Sequence, residues 1–433
     1  MSPDDPGPVL GEDLLALLDD RLGPSDDALE QQYPGDDGTR QPVHTVYVPA
    51  DRFHRGLVAQ WGDEARATLA AAGGSEHLAR VHGLSGELAE HVARLVDAKL
   101  EVEPIEDLRI DLEDGYGRRA DATEDADTRA AARELAAAEE RGAAPAFVGL
   151  RIKAFERATR RRGIRTLDLF LAELVAARAG ASGGSRDGLP DGFVVTLAKV
   201  QSVAQVEAMA TVCERLEQAH GLATGLLRFE VQVETPQAVL GADGRATVAL
   251  MVHAGAGRVV GLHYGTYDYS ASLGIAAEHQ SADHPAADHA KAIMQLAAAG
   301  TRVRVSDGST NVLPVGEPAA VDAAWALHGR LVRRALERGF YQGWDLHPAQ
   351  LPSRFAATYA FYRRGSVDAL RRLAAYTRLE PGGVLDEPAT ARALAWFVLR
   401  GIDCGALTET ETRAGSGLDR AHLAALRSTG GVR

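Results

Sequence analysis

The sequence predicts an α/β fold, a (β/α)8 TIM barrel with an N-terminal arm and a C-terminal helical extension. Three observations predict it. Eight short apolar runs lie between His44 and Leu351, each followed by residues at helical spacing. Several of these runs end in acids or in Gly-containing turns, where barrels of this kind carry their chemistry. No Gly-rich dinucleotide loop follows an early strand, as the competing doubly wound open sheet would want. A chain of 433 residues has room for one large barrel with appendages.

Residues 1–42, rich in Asp, Pro and Gly, read as a flexible acidic arm or lid with one short amphipathic piece around Leu10 to Leu22. The barrel is expected over 43–352. HTVYVPADRF opens it as a strand ending at Pro49, and helical spacing follows to Ala72 and again over 75–99. LRIDLEDGYG (108–117) is a strand running into an acidic turn, followed by an Ala/Glu-rich helix over 125–141. AFVGLRIKAF (146–155) is the third strand, with a helix over 156–180 and a flexible Gly/Ser/Asp/Pro loop over 181–192. FVVTLAKV (193–200) and its helix to His220 form the fourth unit.

In LRFEVQVETPQAVL (227–240), Leu227, Phe229, Val231 and Val233 alternate with Arg228, Glu230, Gln232 and Glu234, the period of a strand that Pro236 ends. RVVGLHYGTYDYSASLGI (258–275) repeats the plan and puts Asp268 at its end. TRVRVSD (301–307) and FYQGWDLHPAQL (340–351) supply the seventh and eighth strands, after helices over 285–299 and 318–338. Residues 353–433 read as a helical extension with segments near 353–375, 387–402 and 418–427.

A net charge of −13 argues against a nucleic-acid or anionic-membrane binder, since both need a positive field. No run is apolar enough to span a bilayer, and the first residues carry acids where a signal peptide is basic, so a cytoplasmic location is expected. Cys213 and Cys404 have no metal-site or disulfide spacing. The basic run ERATRRRGIRT (156–166) fits a solvated face, or a docking point for a phosphate or coenzyme tail.

Glu234 and Asp268 stand at the ends of consecutive strands. Either alone could cap the next helix, but together they offer two hard oxygen ligands and leave most of a Mg²⁺ (or Mn²⁺) shell open. Asp111, Glu113 and Asp114 crowd one strand end and repel one another unless a cation, protons or donors relieve them, which suits proton transfer or contact with a metal's waters; a solvated acidic turn is the plain alternative. Arg151 can clamp a carboxylate and offset enolate charge, or simply pair with those acids. Gln232, Lys199, Gly265 and Thr266 join Arg151 as candidate substrate contacts. Lysine occurs only at Lys99, Lys153, Lys199 and Lys291, so Lys153 and Lys199 at strand ends also invite a Schiff base, although an electrostatic role suits them better. His347 closes the eighth strand and reads as structural.

The ordered set VYVPADRF, DLEDGYG, LRIK, LAKV, VQVETPQAV, GLHYGTYDYSASLG and GWDLHPAQ resembles the HpcH/HpaI aldolase and citrate lyase β-subunit family over about 44–352. The resemblance implies a barrel of the phosphoenolpyruvate/pyruvate-binding superfamily, a divalent-metal-dependent carbon–carbon lyase working through an enolate of a 2-oxo acid or acyl-CoA. It implies Glu234 and Asp268 as metal ligands, Arg151 as the enolate clamp and the DLED acids as supporting groups. It also implies a homo-oligomer, trimer or hexamer, whose carboxyl-terminal segment closes over a neighbour's site; helices that plug one end of their own barrel are the alternative. DLED, VPADR and the HP-Q motif resemble the citrate lyase and malyl-CoA lyase side, whereas Gln232-x-Glu234 and Asp268-Tyr-Ser-Ala-Ser-Leu-Gly274 resemble the 2-oxo acid aldolases. Those aldolases have a base histidine where this chain has Asp114, and Lys153 and the 156–192 segment depart from both branches. A coenzyme A thioester substrate is left open, and a barrel that binds metal and a small carboxylate without turnover remains an alternative.

Overall fold

A computed structural model describes residues 10–180, 188–378 and 387–428. Eight strands follow in order: β1 (His44–Pro49), β2 (Asp107–Asp111), β3 (Phe147–Ile152), β4 (Phe193–Leu197), β5 (Arg228–Val233), β6 (Val259–Tyr264), β7 (Arg304–Ser306) and β8 (Gly343–Asp345). All pair in parallel, in the order β7-β6-β5-β4-β3-β2-β1-β8, and a bridge from Ser306 to Gln342 closes the ring. The (β/α)8 barrel expected from the sequence is thus the fold observed. Most of the loop anticipated over 181–192 lies outside the described residues.

Strand alternation has a specific meaning in this ring. In β5 both faces are buried: Phe229, Val231 and Val233 are wholly enclosed, and so, nearly, are Glu230, Gln232 and, just past the strand, Glu234. The apolar set packs under the surrounding helices and the polar set points into the lumen. Register places Asp111 beside Arg151 across β2 and β3, and Gln232 beside His263 across β5 and β6. Polar side chains therefore stack up the barrel axis, and the uppermost ones open at the carboxyl ends of the strands.

Pro236 ends β5 by occupying the first position of a short helix, Pro236–Val239, which Thr235 caps. After β8 the chain enters the long helix Leu351–Arg378, whose Leu351, Phe355, Tyr359 and Tyr362 lie in the same core as the strands. The second half of that helix, with Leu370 and Leu373, forms a separate small core with Ala395, Val398 and Leu399 of Pro388–Asp403 and Leu423 of Arg420–Ser428. These helices lie at the amino-terminal end of the barrel: the Arg400 guanidinium is 3.8 Å from the Tyr341 ring centroid, just ahead of β8, and Trp396, Arg400 and Arg427 line a cavity with Val43 and Arg304. The extension thus packs on its own barrel at the end away from the strand mouths.

The amino-terminal stretch expected as a mobile arm contains a 21-residue helix, Glu12–Gln32, which runs through Pro24 and buries none of its residues. Its carboxyl end is tied to the barrel: Gly35 N–H donates to Gly300 O at 2.8 Å, and Arg40 pairs with Glu103 and Glu106, both at 2.9 Å. Among the described residues no helix is long and apolar enough to cross a membrane.

Candidate active site

The mouth is built on the ends of β2 to β6. Arg151, at the end of β3, donates from Nε and Nη2 to the two oxygens of Asp111, both at 2.7 Å. Asp111 also accepts the backbone N–H groups of Glu113 and Gly115, at 2.9 Å each. Its lone pairs are thereby occupied, and its work is to hold Arg151 in place. The Arg151 guanidinium lies 4.6 Å from the Tyr47 ring centroid, so the fork is fixed both in its plane and from one face. Burial disfavours its charge, but Asp111 and Glu113 outweigh that and hold its pKa above the ordinary arginine value.

Lys199, just past β4, has a left-handed backbone with φ 52°, a conformation that costs a non-glycine residue roughly 1–2 kcal/mol. This turn sends its backbone N–H to Glu234 Oε1 at 2.8 Å. Its Nζ crosses to Glu113 Oε1 and Asp114 Oδ2, at 2.6 Å each, and lies 3.8 Å from Asp268 Oδ2. Burial works against the ammonium, yet the hydrogen bonds it donates to Asp114 and Glu113 prevail and raise its pKa. Burial, reinforced by Asp114, lifts the Glu113 carboxyl above its usual range despite Arg151 and Lys199. Asp114 moves the opposite way, because its hydrogen bonds to Lys199 and Glu113 overcome its burial.

Glu234 is 1% exposed, whereas the Asp268 side chain is 47% exposed in the first turn of the helix Thr266–Ser272. Burial first, and then the Asp268 carboxylate, push the Glu234 carboxyl up to about 8. Gln232 Nε2 donates to Glu234 Oε2, and Gln232 Oε1 is buried without a partner among the described residues. Gly265 permits this packing: a Cβ there would stand 2.5 Å from the Glu234 Cβ and 2.6 Å from its Oε2. Thr266 turns its hydroxyl to Ser309 O at 3.2 Å.

The residues present fit a hard divalent cation. Two carboxylates, one deep and one on the lip, are close enough to oppose each other's charge, and an unpartnered amide oxygen is buried beside the deeper one. No group of three or more His, Cys, Asp or Glu side chains forms a closed metal cage among the described residues, so Glu234 and Asp268 would hold the ion with most positions left open.

The other sequence candidates separate clearly. Lys153 donates to Leu112 O at 2.7 Å and Glu124 Oε2 at 2.8 Å, which ties it beneath the acidic turn. His347 caps the turn Pro348–Gln350 by accepting from Ala349 N–H at 3.1 Å. Three features were missed: Tyr47 under the clamp, the left-handed Lys199, and the charged layer beneath the site. In that layer Arg109 pairs with Asp107 and, at 3.0 Å, with Glu230, while His263 Nε2 lies 2.8 Å from Glu230 Oε2. The register of β2 and β5 carried the available signal, since Arg109 and Glu230 share the lumen faces of Asp111 and Glu234.

The family described as "Domain of unknown function (DUF6986)" matches residues 22–430. No curated protein matches by sequence. Among solved structures, a citrate lyase from Burkholderia xenovorans LB400 is 18% identical with a TM-score of 0.53, covering 86% of this chain and 97% of that one. The CitE protein of Mycobacterium tuberculosis in complex with magnesium, acetoacetate and coenzyme A is 19% identical at a TM-score of 0.47, over 85% and 99% of the two chains. A malate synthase of Haloferax volcanii in a pyruvate/acetyl-CoA ternary complex is 15% identical at 0.43, over 73% and 69%. At such identities the likeness is one of fold, and the citrate lyase match bears out the barrel anticipated from the ordered motifs.

Proposed function

This chain belongs to the DUF6986 family, whose description carries no activity, and from its barrel mouth we propose that it is a divalent-metal-dependent carbon–carbon lyase acting through the enolate of a 2-oxo acid or acyl-CoA. The observation that carries the reading is the pair Glu234 and Asp268, whose nearest ammonium, Lys199, is already shared with Glu113 and Asp114, set in one opening with the buried, immobilised Arg151.

Cleavage of this class removes the proton of a hydroxyl β to a carbonyl. The bond between the α and β carbons then breaks, its electron pair enters the enolate, and the α carbon is finally protonated. A divalent ion held by Glu234 and Asp268 would supply positive charge for the enolate oxygen. Arg151 spends Nε and Nη2 on Asp111, so Nη1, 3.9 Å from Glu113, is the edge left to face a substrate carboxylate or enolate. Asp111 is a positioning residue. Proton movement falls to Glu113 and Asp114, whose carboxyls are shifted in opposite directions beside one shared ammonium. Gln232 and the glycine at 265 keep Glu234 in its orientation.

The geometry disfavours a Schiff-base aldolase. Lys199 is held protonated between two carboxylates and Lys153 is tied to backbone carbonyls, whereas an imine needs a free neutral amine at the mouth.

The test is a lyase screen with Mg²⁺ and Mn²⁺ across 4-hydroxy-2-oxo acids and malyl- or citramalyl-CoA. Metal-dependent cleavage of one member is expected, with pyruvate or an acyl-CoA as product. Metal binding without proton exchange on any pyruvate-like or acyl-CoA ligand would instead favour a non-catalytic barrel, and borohydride trapping of pyruvate would restore the Schiff base.

A further inference from the structure

Among the described residues the helix Glu12–Gln32 stands outside the core, with none of its residues buried and an exposed apolar face. Leu10, Leu14, Leu17, Leu18 and Leu22 are 59%, 39%, 61%, 39% and 52% exposed. At 100° per residue the four of these that lie in the helix, Leu14, Leu17, Leu18 and Leu22, fall within an arc of roughly 140°. Glu12 and Asp19 border one edge of that arc, and Asp13 and Asp20 border the other. Such a stripe left in water is a docking face.

The same chain carries a groove of complementary chemistry. Between the helices Gly74–Val81, Pro318–Glu337 and Leu351–Arg378 lies a cavity of about 270 Å³. Ala326, Gly329, Ala357 and Ala360 line it with small side chains, and Arg330, Arg333 and Arg364 stand around it. The first two arginines are 47% and 44% exposed, in surface pairs with Asp283 and Glu337, a kind of pair that contributes little and exchanges readily. Gly329 also sits against the His82 ring, which a Cβ would approach to 2.2 Å, so the wall cannot fill itself in. A small-residue floor accepts leucine side chains, and an arginine rim meets the acids that border them.

We propose that the leucine face of Glu12–Gln32 docks into the arginine-rimmed groove of a second copy of this chain. Each copy carries both the helix and the groove, so the exchange can close on itself as a symmetric assembly. Charge complementarity favours the groove: the chain is strongly acidic overall, so two copies repel on average, and an arginine-rimmed surface with a small-residue floor can receive both the acids and the leucines of the other copy's helix. The contact is independent of the chemistry at the strand mouths, which lies on other elements.

The experiment is light scattering on the full chain, whose monomer mass is 45.9 kDa. A multiple of that mass is expected, weakening as salt is raised. Leu17→Asp with Leu18→Asp should give monomers, and so should Arg330→Glu with Arg333→Glu. Because all four side chains are substantially exposed, circular dichroism should be unchanged; Arg364→Glu is a second groove variant that leaves the two surface ion pairs intact. Joining Asp19→Arg and Asp20→Arg to the Arg330/Arg333 reversal should restore the assembly. A monomeric wild type, or an assembly whose mass survives either the leucine or the arginine changes, would overturn the proposal.

Discussion

Glu230 in β5 and Glu234, the residue just past its end, lie four residues apart on one face, both deeply buried, yet their carboxyls are shifted in opposite directions. Burial opposes ionisation in both. At Glu230 the Arg109 guanidinium and the His263 ring outweigh it and hold the carboxyl far below the usual range. At Glu234 burial and Asp268 act together, and the clamp Arg151 is already committed to Asp111. In the lower layer Arg109 contacts both carboxylates, although burial and Glu230 still push Asp107 up, whereas the upper layer carries negative charge in larger excess. What separates a structural ion network from a candidate site here is therefore the arithmetic of partners and not residue type.

The comparison breaks most sharply at the upper layer. Glu234→Gln or Asp268→Asn should cut metal-dependent turnover by about a hundred- to a thousandfold, on the scale of lost electrostatic stabilisers in other enzymes. Circular dichroism should be unchanged, because neither side chain fills the core. Unaltered metal affinity in both variants, measured by calorimetric titration, would remove the assignment.

The lower layer should answer in the other quantity. Arg109→Ala leaves Asp107 and Glu230 buried without their cation, a change that costs about 3–5 kcal/mol when a buried pair is broken from one side. A large fall in melting temperature is expected, with metal affinity preserved in protein that remains folded. If instead Arg109→Ala lost metal binding at unchanged stability, the lumen network would belong to the site.

This division also explains what the sequence made legible. The eight units, and the placement of Glu234 and Asp268 just past consecutive strands, could be read because each follows an apolar run. Arg109 and Glu230 were hidden, because a charge alternating with apolar residues looks like a solvent face until the ring closes and makes it a lumen. Lys199 gave no warning of its left-handed backbone, which lysine seldom adopts. The helix Glu12–Gln32 was obscured by the Gly23-Pro24 pair, since proline in a helix interior ordinarily breaks it. Residues after 352 read as one appendage because helical spacing does not reveal which surface a helix covers; the first of those helices lines the barrel core and the later ones close the barrel's far end.

The subtlest difference between the two glutamates should appear in stability against pH. In metal-free protein Glu234 titrates near 8, against an ordinary 4.5, so between those values the folded chain holds this proton more tightly than the unfolded chain does. Its contribution is fully present below about 4.5 and is lost as pH rises through 8, at a slope of at most about 1.4 kcal/mol per pH unit. Other carboxylates slope differently, so the measurement is a difference: wild type minus Glu234→Gln melting curves, from pH 5 to 8 without metal. The wild type should lose ground to the variant as pH rises. Wild type minus Glu230→Gln should be flat over the same range, because Glu230 is already ionised throughout it. Saturating Mg²⁺ should remove the slope at Glu234, since an ion bound there favours the carboxylate. A flat Glu234 difference curve in metal-free buffer would mean that the upper layer is as well compensated as the lower, and that the contrast between the two glutamates does not exist in solution.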